Sequence, residues 1–297
     1  MKDFAIIEVG SNNTKVHVYH GRKVIYQNTV TIEFKKNYHI HQDIVKEDFQ
    51  KLKGIILTTK KYTDSIFLFG CSIFRLLSSK KLEQLNTELE KELGVTIEVV
   101  SQNDEALLTA LGCYGTNDYR KTMCIFIGGG GSIELIFVKN KKVIDQYFYD
   151  FGVVDITKKF ESLKDDIPSC TFSEVTSYVA DLIGVIKKRA EVLVLAGGDH
   201  IYWYRNARFK MEKNILYKDS KQKYMISHDL NDQYDQKTML TSLNKIRNRS
   251  DNPLWFDGSR AMKMVTNVIS HKIHAQYIIP TSINMEDGLY EKIIKDM

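Results

Sequence analysis

Two stretches of the chain share one pattern of hydrophobic and polar positions. Residues 4–30 read "FAIIEVGSNNTKVHVYHGRKVIYQNTV", and residues 122–149 read "TMCIFIGGGGSIELIFVKNKKVIDQYFY". Each contains three β-rich runs separated by small or polar turn residues, which predicts a strand meander. A shift of 129 − 10 = 119 residues lays Gly10 on Gly129 and Glu8 on Ile127 without a gap. The chain is therefore predicted to contain a duplicated strand–loop–strand–turn–strand unit.

Helices and buried strands are predicted after each meander. The first is followed by a helix from about Asp48, the strand "SIFLFG", a helix ending at Gly94, the strand "VTIEVV" and a helix capped by Ser101. The second is followed by a helix in "SEVTSYVADLIGVIKKR", with Ile186 on its apolar face, and the strand "VLVLAGG". After a polar stretch over residues 210–251, the end reads helix, strand, turn, helix. This alternation, occurring twice, predicts an α/β protein with two similar halves.

Composition excludes several classes of function. The 297 residues are 43% hydrophobic and 27% charged, as in an ordinary globular protein. The excess of 42 − 37 = +5 positive charges is too small for a nucleic-acid binder, but it suits a protein that handles a compact polyanion such as phosphate. We expect no signal peptide and no membrane span. The four widely spaced cysteines predict reduced thiols and a cytoplasmic protein.

The four glycines from Gly128 to Gly131 are the strongest chemical signal in the second meander. Consecutive backbone N–H groups in a glycine-rich turn form a concave nest that suits an anion. Glycine permits positive φ and lets the backbone touch phosphate oxygens without a Cβ in the way. The loop "GSNNT" is its counterpart in the first meander. The two loops together predict a phosphate clamp, whereas a pair of polar hairpin turns is the simpler alternative.

The order and spacing of several motifs resemble one known family. The motifs are "AIIEVGSNNTK", "SQNDEALLTALG", "IGGGGSIEL", "LAGGDH" and "MEDGLYEKII". Over nearly the whole chain they resemble the exopolyphosphatase and guanosine pentaphosphate phosphatase family, often called Ppx/GppA. The resemblance implies an actin-like ATPase fold of two ribonuclease-H-like domains with mixed sheets flanked by helices and an active-site cleft between them. It implies domains over residues 1–121 and 122–297, with the last helix able to pack back on the first domain.

The resemblance also implies roles for individual residues. Glu105 matches the base that activates the attacking water, and Glu8 and Glu134 match the carboxylates that hold Mg²⁺. The residues that match phosphate-binding positions are Ser11, Asn12, Arg75, Gly129, Gly130, Gly131 and Ser132. Without the resemblance, Arg75 is better interpreted as a surface arginine on a helix. Glu105 in a first helical turn is equally explained by the helix dipole.

The chain departs from the family pattern at two metal-site positions and again near its end. The family carries aspartate at the positions of Glu8 and Ile127, so one acid is lengthened and the other is replaced by a side chain that cannot bind a metal. The family's Arg-Glu-Gly near the end of the chain is Glu286-Asp287-Gly288 here. Retention of Glu105, Glu134 and Arg75 favours a hydrolase. The loss of an acid at the position of Ile127 favours a relative that has lost catalytic activity.

Three functions remain open at the level of sequence. The first is an exopolyphosphatase-like hydrolase that cleaves polyphosphate or guanosine pentaphosphate with Mg²⁺. The second is a sensor or scaffold that binds these polyanions without turnover. The third is a sugar or acetate kinase of the same superfamily, with "LAGGDHIYW" offered as its adenosine loop, although Tyr202, Trp203 and Tyr204 are better explained as core or cleft wall. The sequence does not decide the oligomeric state, for which a homodimer is one option.

Two histidine pairs have a spacing that could serve a metal ion. His271 and His274 could share a helix face, and His39 and His41 could share a face of their own segment. Neither pair has an assignable third ligand in the sequence, so both are interpreted as ordinary histidines.

Overall fold

The computed structural model describes residues 3–10, 13–250 and 252–296. The chain divides into two compact units, Met1–Glu105 and Ala106–Met297, called here the first and the second unit. This division falls at the start of helix α4 (Gln102–Gly115), whereas the sequence places a domain boundary after residue 121. The difference arises because the buried face of this helix, with Ala106 and Ala110, belongs to a hydrophobic cluster of the second unit.

The first unit is built on a five-stranded sheet in the order β3-β2-β1-β4-β5. Its strands are β1 (Asp3–Val9), β2 (Asn13–His20), β3 (Lys23–Thr31), β4 (Ile66–Gly70) and β5 (Ile97–Val99). Its helices are α1 (Phe34–His41), α2 (Lys46–Lys60), a 3-10 helix (Ser72–Leu76) and α3 (Ser79–Leu93). β1 pairs antiparallel with β2 and parallel with β4, so the sheet is mixed.

The second unit is built on a seven-stranded sheet in the order β10-β11-β12-β9-β6-β7-β8. Its strands are β6 (Met123–Gly128), β7 (Ile133–Lys139), β8 (Lys142–Tyr149), β9 (Val192–Leu195), β10 (Glu212–Lys213), β11 (Tyr224–Ser227) and β12 (Tyr277–Pro280). Its helices beyond α4 are α5 (Val153–Lys159), α6 (Phe172–Ile183), α7 (Asp199–Ala207), α8 (His228–Leu240), α9 (Leu243–Arg247), α10 (Ser259–Lys272) and α11 (Met285–Asp296), with 3-10 helices at Glu161–Lys164 and Pro253–Gly258.

The order β8-β7-β6-β9-β12 in the second sheet repeats the order β3-β2-β1-β4-β5 of the first. In both, three antiparallel strands continue into parallel ones, which gives two ribonuclease-H-like sheets flanked by helices. The predicted α/β class with two similar halves is confirmed.

The predicted duplication is confirmed at the level of single hydrogen bonds. Gly10 N donates to Asn13 O over 2.9 Å, and Gly129 N donates to Ser132 O over the same distance. Both meanders also contain a bulge, between Val18 and Tyr19 in the first and between residues 137 and 138 in the second. Each equivalent position differs by 119 residues, as the sequence alignment predicts.

One prediction about a helix needs correction, and the polar stretch gains its elements. The helix predicted over "SEVTSYVADLIGVIKKR" ends at Ile183, because Gly184 follows with φ of 63° in the left-handed region, which favours glycine and terminates a helix. Ile186 therefore lies beyond the helix, although it is still buried in the hydrophobic core of the second unit. The polar stretch over residues 210–251 contains β11, α8 and α9, with hydrophobic residues such as Tyr234 and Leu243 buried.

The helices cover the sheets with continuous hydrophobic cores. In the first unit, Leu52 and Ile56 of α2 and Leu89 of α3 pack with sheet residues such as Ile7. In the second unit, α10 packs among the residues of α6 and the central strands. Across the described ranges, no helix is both long and apolar enough to cross a lipid bilayer.

Candidate active site

Arg75 and Glu105 form the centre of a polar cluster in the first unit. The Arg75 guanidinium donates through Nε to the carbonyl oxygen of Val100 over 2.8 Å, and through a terminal nitrogen to a carboxylate oxygen of Glu105. The Arg75 side chain is 25% exposed and that of Glu105 is 41% exposed, so solvent reaches both. The predicted phosphate-binding arginine and the predicted base are therefore in direct contact.

The backbone segments that carry Arg75 and Glu105 hold the two side chains in place. After β4, the chain turns sharply into the 3-10 helix that carries Arg75, and Ser72 at its start has a φ of 52°. A left-handed conformation costs a non-glycine residue about 1 kcal/mol, and such strain is concentrated at functional sites. Glu105 lies in the first turn of α4, where the hydroxyl of Ser101 accepts from the N–H of Asp104 over 3.1 Å. The predicted cap at Ser101 is confirmed.

Cys71 lies beside the same charged groups. Burial raises the pKa of its thiol to about 12, and the negative charges of Glu105 and Glu8 add to this, against the lowering effect of Arg75. The thiol is therefore neutral at physiological pH and is not a thiolate nucleophile. Glu8 and Glu105 both act electrostatically on Cys71, which indicates that these two carboxylates belong to one cluster. The position of Cys71 beside these charged groups was not predicted from the sequence.

Glu8 is paired across the first hairpin. It lies opposite Lys15 in the register of β1 and β2, and the Lys15 amine is 3.2 Å from Glu8 Oε1. The charge of Glu8, a predicted metal ligand, is thus partly compensated. Ser11 and Asn12, predicted to bind phosphate, lie outside the described residues.

The glycine loop of the second unit is anchored by helix α5. The carbonyl oxygens of Gly129 and Gly130 accept from the N–H groups of Val153 and Val154 over 3.1 and 2.9 Å. The N–H of Gly129 is used within the turn, where it donates to Ser132. Among the described residues, the N–H groups of Gly130, Gly131 and Ser132 donate to no backbone carbonyl. These three N–H groups can therefore donate hydrogen bonds to a bound anion.

The structure gives a different reason for the glycines in this loop from the one predicted from the sequence. None of the four loop glycines is among the residues with positive φ in the described chain, so conformational freedom does not require them. Close packing requires glycine at one of the four positions, because a Cβ on Gly128 would lie 2.4 Å from the Phe126 ring. A Cβ on Gly152, before α5, would lie 2.5 Å from the backbone of Gly130.

Replacing Gly152 with alanine should therefore displace the loop. We expect Gly152→Ala to lower the free energy of unfolding by about 1–3 kcal/mol, because the added methyl group overlaps fixed backbone atoms. Urea denaturation measures this change. Gly131→Ala is the matched control, since its Cβ would meet nothing within 4 Å, and equal stability losses in the two variants would contradict the prediction.

Ile127 and Glu134 face each other across the second hairpin. They are directly paired in the register of β6 and β7, so their side chains lie on the same side of the sheet. Ile127 packs with a hydrophobic cluster that includes Ile125 and Ile136, and Glu134 is 5% exposed. The second hairpin therefore holds one carboxylate at this pair.

A cavity of about 180 Å³ opens beside the glycine loop within the second unit. Its walls are Gly128, Gly129, Gly130, Val153, Val154, Asp199, Trp255, Gly258, Ser259 and Met262. Burial raises the pKa of Asp199, while a hydrogen bond from Trp255 lowers it. The loop "LAGGDH", in which Gly197 and Gly198 have φ of 95° and 90°, brings Asp199 to this cavity. Sequence reasoning did not connect this loop with the four glycines.

The comparisons with known proteins decide the family. The sequence matches the Ppx/GppA phosphatase family model over residues 17–247, which is more than half of the chain. The chain is a member of the Ppx/GppA phosphatase family. Comparison with curated proteins finds no match.

Solved structures of Ppx/GppA proteins share the whole fold. A crystal structure of the Aquifex aeolicus family member aligns with a TM-score of 0.78 and 15% identity, covering 99% of this chain and 98% of that chain. An exopolyphosphatase from Cytophaga hutchinsonii aligns with a TM-score of 0.71 and 13% identity, covering 100% of this chain and 99% of that chain. At these identities the likeness establishes the fold, which is the actin-like ATPase fold of two domains.

The C-terminal departure from the Ppx/GppA pattern lies in a packed helix. Glu286, in the place of the family's arginine, is 5% exposed in the first turn of α11. Gly288, which this chain shares with the pattern, has a packing role, because its Cβ would lie 1.7 Å from the carbonyl oxygen of Leu108 in α4. Gly112 on α4 also lies close to α11, since its Cβ would lie 2.9 Å from the Cβ of Asp287 and 3.0 Å from the backbone nitrogen of Gly288. The two glycines allow the two helices to cross backbone to backbone.

The aromatic residues after "LAGGDH" are core residues, as the sequence argument favoured. Trp203 is 1% exposed and Tyr204 is fully buried, and both belong to a cluster that includes Phe256. Tyr202 packs edge-on against Trp255 at a ring-centroid distance of 5.0 Å. These residues pack with Trp255, which lines the cavity. Because they are used in this packing, they do not supply the aromatic contact to adenosine that the kinase interpretation needs.

Proposed function

We propose that this protein is a phosphoanhydride hydrolase that releases the terminal phosphate of inorganic polyphosphate or guanosine pentaphosphate. The observation that carries the proposal is the direct contact between Arg75 and Glu105, both partly exposed. A guanidinium that can bind phosphate oxygens and a carboxylate that can accept a proton from water are the two groups that phosphoanhydride hydrolysis needs close together. Family membership and the +5 charge support the same substrate class.

In the proposed reaction, Glu105 accepts a proton from a water molecule as the water oxygen attacks the terminal phosphorus. The bond from phosphorus to the bridging oxygen breaks, and the shortened polyanion leaves with the electron pair. Arg75 binds the oxygens of the transferred phosphoryl group, where negative charge must be stabilised. The free N–H groups of Gly130, Gly131 and Ser132 serve as phosphate donors of the second unit. Ser11 and Asn12 are proposed as the corresponding donors of the first.

Two carboxylates are proposed to hold Mg²⁺. Glu8 and Glu134 offer the hard oxygen ligands that Mg²⁺ takes, and Mg²⁺ commonly uses one or two carboxylates together with substrate phosphates and water. The Lys15 amine at 3.2 Å from Glu8, and Ile127 in place of a second acid beside Glu134, predict a weak site that depends on substrate. The ion would supply positive charge to the phosphate oxygens.

The test is orthophosphate release from the two substrates. Purified protein is incubated with polyphosphate of defined length or with guanosine pentaphosphate, with Mg²⁺ or with a chelator. We expect linear release of orthophosphate with Mg²⁺ and little release with the chelator. The preferred substrate follows from the ratio of kcat/KM. Absence of release from both substrates, over a range of Mg²⁺ concentrations, would overturn the hydrolase proposal.

A second candidate is a polyphosphate- or nucleotide-binding sensor or scaffold. The observation that favours it is Ile127, which lies opposite Glu134 and provides no metal ligand. This candidate predicts polyanion binding without turnover. Calorimetric binding of polyphosphate by protein that releases no orthophosphate would establish it over the hydrolase.

A further inference from the structure

A cluster of metal-binding side chains lies between helices α8 and α10 of the second unit. His228 and Asp232 are four residues apart on α8, and His271 is near the end of α10. One candidate ligand atom from each side chain can be chosen so that all three lie within 4.8 Å of one another. None of the three lines the cavity beside the glycine loop.

The orientation of His228 is set by a buried hydroxyl. The Ser270 hydroxyl donates to the carbonyl oxygen of Asn267 over 2.7 Å, and it lies 3.5 Å from Nε2 of His228. Because this hydroxyl has used its proton, it can accept from Nε2–H. That tautomer leaves the lone pair on Nδ1, which lies 3.7 Å from Asp232 Oδ2. A histidine ligand whose other nitrogen donates to a neighbouring oxygen is typical of metal sites.

The carboxylate of Asp232 is held in a similar way. Its Oδ1 accepts from the side-chain amide of Asn267 over 2.9 Å and lies 3.0 Å from Nε2 of His271. Asn267 is 4% exposed and is itself tied to Asp235 over 3.0 Å, so its amide is fixed in the core. The carboxylate is thus positioned between the two imidazoles before any ion arrives.

The spacing suits a tetrahedral transition-metal ion. Bonds of about 2.0–2.2 Å to nitrogen and oxygen place tetrahedral ligand atoms about 3.3 Å apart. The observed separations of 3.0 and 3.7 Å between Asp232 and the two imidazoles lie on either side of this value. Small side-chain rotations would bring all three ligands to one ion.

Charge and access also suit a divalent cation. Asp229, whose side chain is 98% exposed, lies 3.9 Å from Nδ1 of His228 and offers a second carboxylate. Two carboxylates and two neutral imidazoles would balance the charge of a divalent ion. His271 is 52% exposed, so the ion can enter from solvent. The neighbouring Lys272 amine is directed to the carbonyl oxygen of Gly184 at 2.6 Å.

We propose that His228, Asp232 and His271 form a binding site for a divalent transition-metal ion, with Zn²⁺ as the best-matched ion. Imidazole and carboxylate ligands in a three-residue set suit Zn²⁺, whereas Mg²⁺ prefers a shell of oxygen atoms. The ion joins the start of α8 to the end of α10. The site is independent of the proposed hydrolase activity and of Mg²⁺.

This site was not predicted from the sequence, because the histidine pairs recognised there were close neighbours along the chain. α10 ends at Lys272, and His274 lies beyond it, exposed and with φ of 56°. The third ligand for His271 comes from α8, about forty residues earlier in the chain, at Asp232 (271 − 232 = 39). The i, i+4 spacing of His228 and Asp232 was the available signal.

The test uses the full chain without a histidine tag, freed of metal by a chelator and then dialysed. Titration with Zn²⁺ followed by calorimetry should give one equivalent bound in the micromolar range or tighter. Excess Mg²⁺ should leave this binding in place. Zn²⁺ should also raise the Tm, because it binds the folded state. Titration with Co²⁺ should give the visible bands of a tetrahedral nitrogen and oxygen site, without the near-ultraviolet bands of thiolate ligands.

Variants assign the binding to the three side chains. His271→Ala and His228→Ala should each weaken Zn²⁺ binding at least tenfold and remove the Tm increase. His274→Asn is the matched control, because asparagine tolerates its left-handed backbone and the residue is not a ligand. The Tm of each metal-free variant reports whether it is folded. Equal Zn²⁺ affinity in all four proteins, or thiolate bands with Co²⁺, would overturn the proposal.

Discussion

Glu105→Gln is expected to lower the kcat for orthophosphate release by about 10²–10⁴-fold, the usual contribution of a general base. Glutamine has nearly the same shape, and its amide oxygen can still accept from the Arg75 guanidinium that contacts Glu105. It cannot accept a proton from water. We therefore expect the KM for polyphosphate to change far less than kcat, because the groups that bind phosphate remain.

Asp104→Asn is the matched control for this prediction. Asp104 is the neighbouring carboxylate in the same helical turn, and it is exposed and hydrogen-bonded to Ser101. Its replacement removes the same charge from the same helix end without removing the proposed base. Initial rates of orthophosphate release at saturating polyphosphate and Mg²⁺ give the comparison. Similar losses of kcat in the two variants would show that helix charge, and not the base at Glu105, is responsible.

Arg260→Ala is expected to lower the free energy of unfolding of the second unit by about 3–5 kcal/mol, as when one partner of a buried charged network is removed. The Arg260 side chain is fully buried on α10. Its guanidinium donates to five backbone carbonyl oxygens over 2.6–3.2 Å, those of Leu163, Asp165, Asp166, Thr238 and Thr241. Alanine would leave these carbonyls without their donor in a buried place.

Burial lowers the pKa of Arg260 to about 10, so the side chain is still charged at neutral pH. Arg260→Lys should therefore be nearly as harmful as alanine, because an ammonium keeps the charge but cannot reach five carbonyls in the geometry of the guanidinium. Arg205→Ala, at an exposed position of α7, should change stability by less than about 0.5 kcal/mol.

Urea denaturation followed by tryptophan fluorescence measures these changes. Both tryptophans of the chain, Trp203 and Trp255, lie in the second unit, so the signal reports the unit that contains Arg260. An Arg260→Ala midpoint close to that of Arg205→Ala would show that other groups or water replace the lost donor.

The local pattern of the sequence was sufficient for most elements of the fold. The alternation of apolar and polar residues in the two meanders, and the turn residues between them, are local properties, and the structure reproduces their register. Helix ends marked by Ser101 and Gly94 were predicted for the same reason. The end at Gly184 was missed because the hydrophobic pattern continues to Ile186, although this glycine has a positive φ of 63° that ends the helix.

The interactions that make up the candidate sites depend on tertiary structure. Arg75 and Glu105 are separated by thirty residues, 105 − 75 = 30, and only the parallel strands β4 and β5 bring their loops together. Sequence placed each residue on its element but could not place one against the other. Arg260 is a similar case, because its five carbonyl partners come from two segments remote in sequence.

The two meanders carry a bulge at the same place, where the second strand pairs with the third. A bulge shifts the strand register by one residue, and its position is retained within families. Its presence at equivalent positions of both meanders is the pattern expected of an internal duplication. Across the equivalent strand pair, the first unit carries Glu8 opposite Lys15, and the second carries Ile127 opposite Glu134. Each half of the duplicated unit therefore holds a single acid at this strand pair, and the two halves present it from opposite strands.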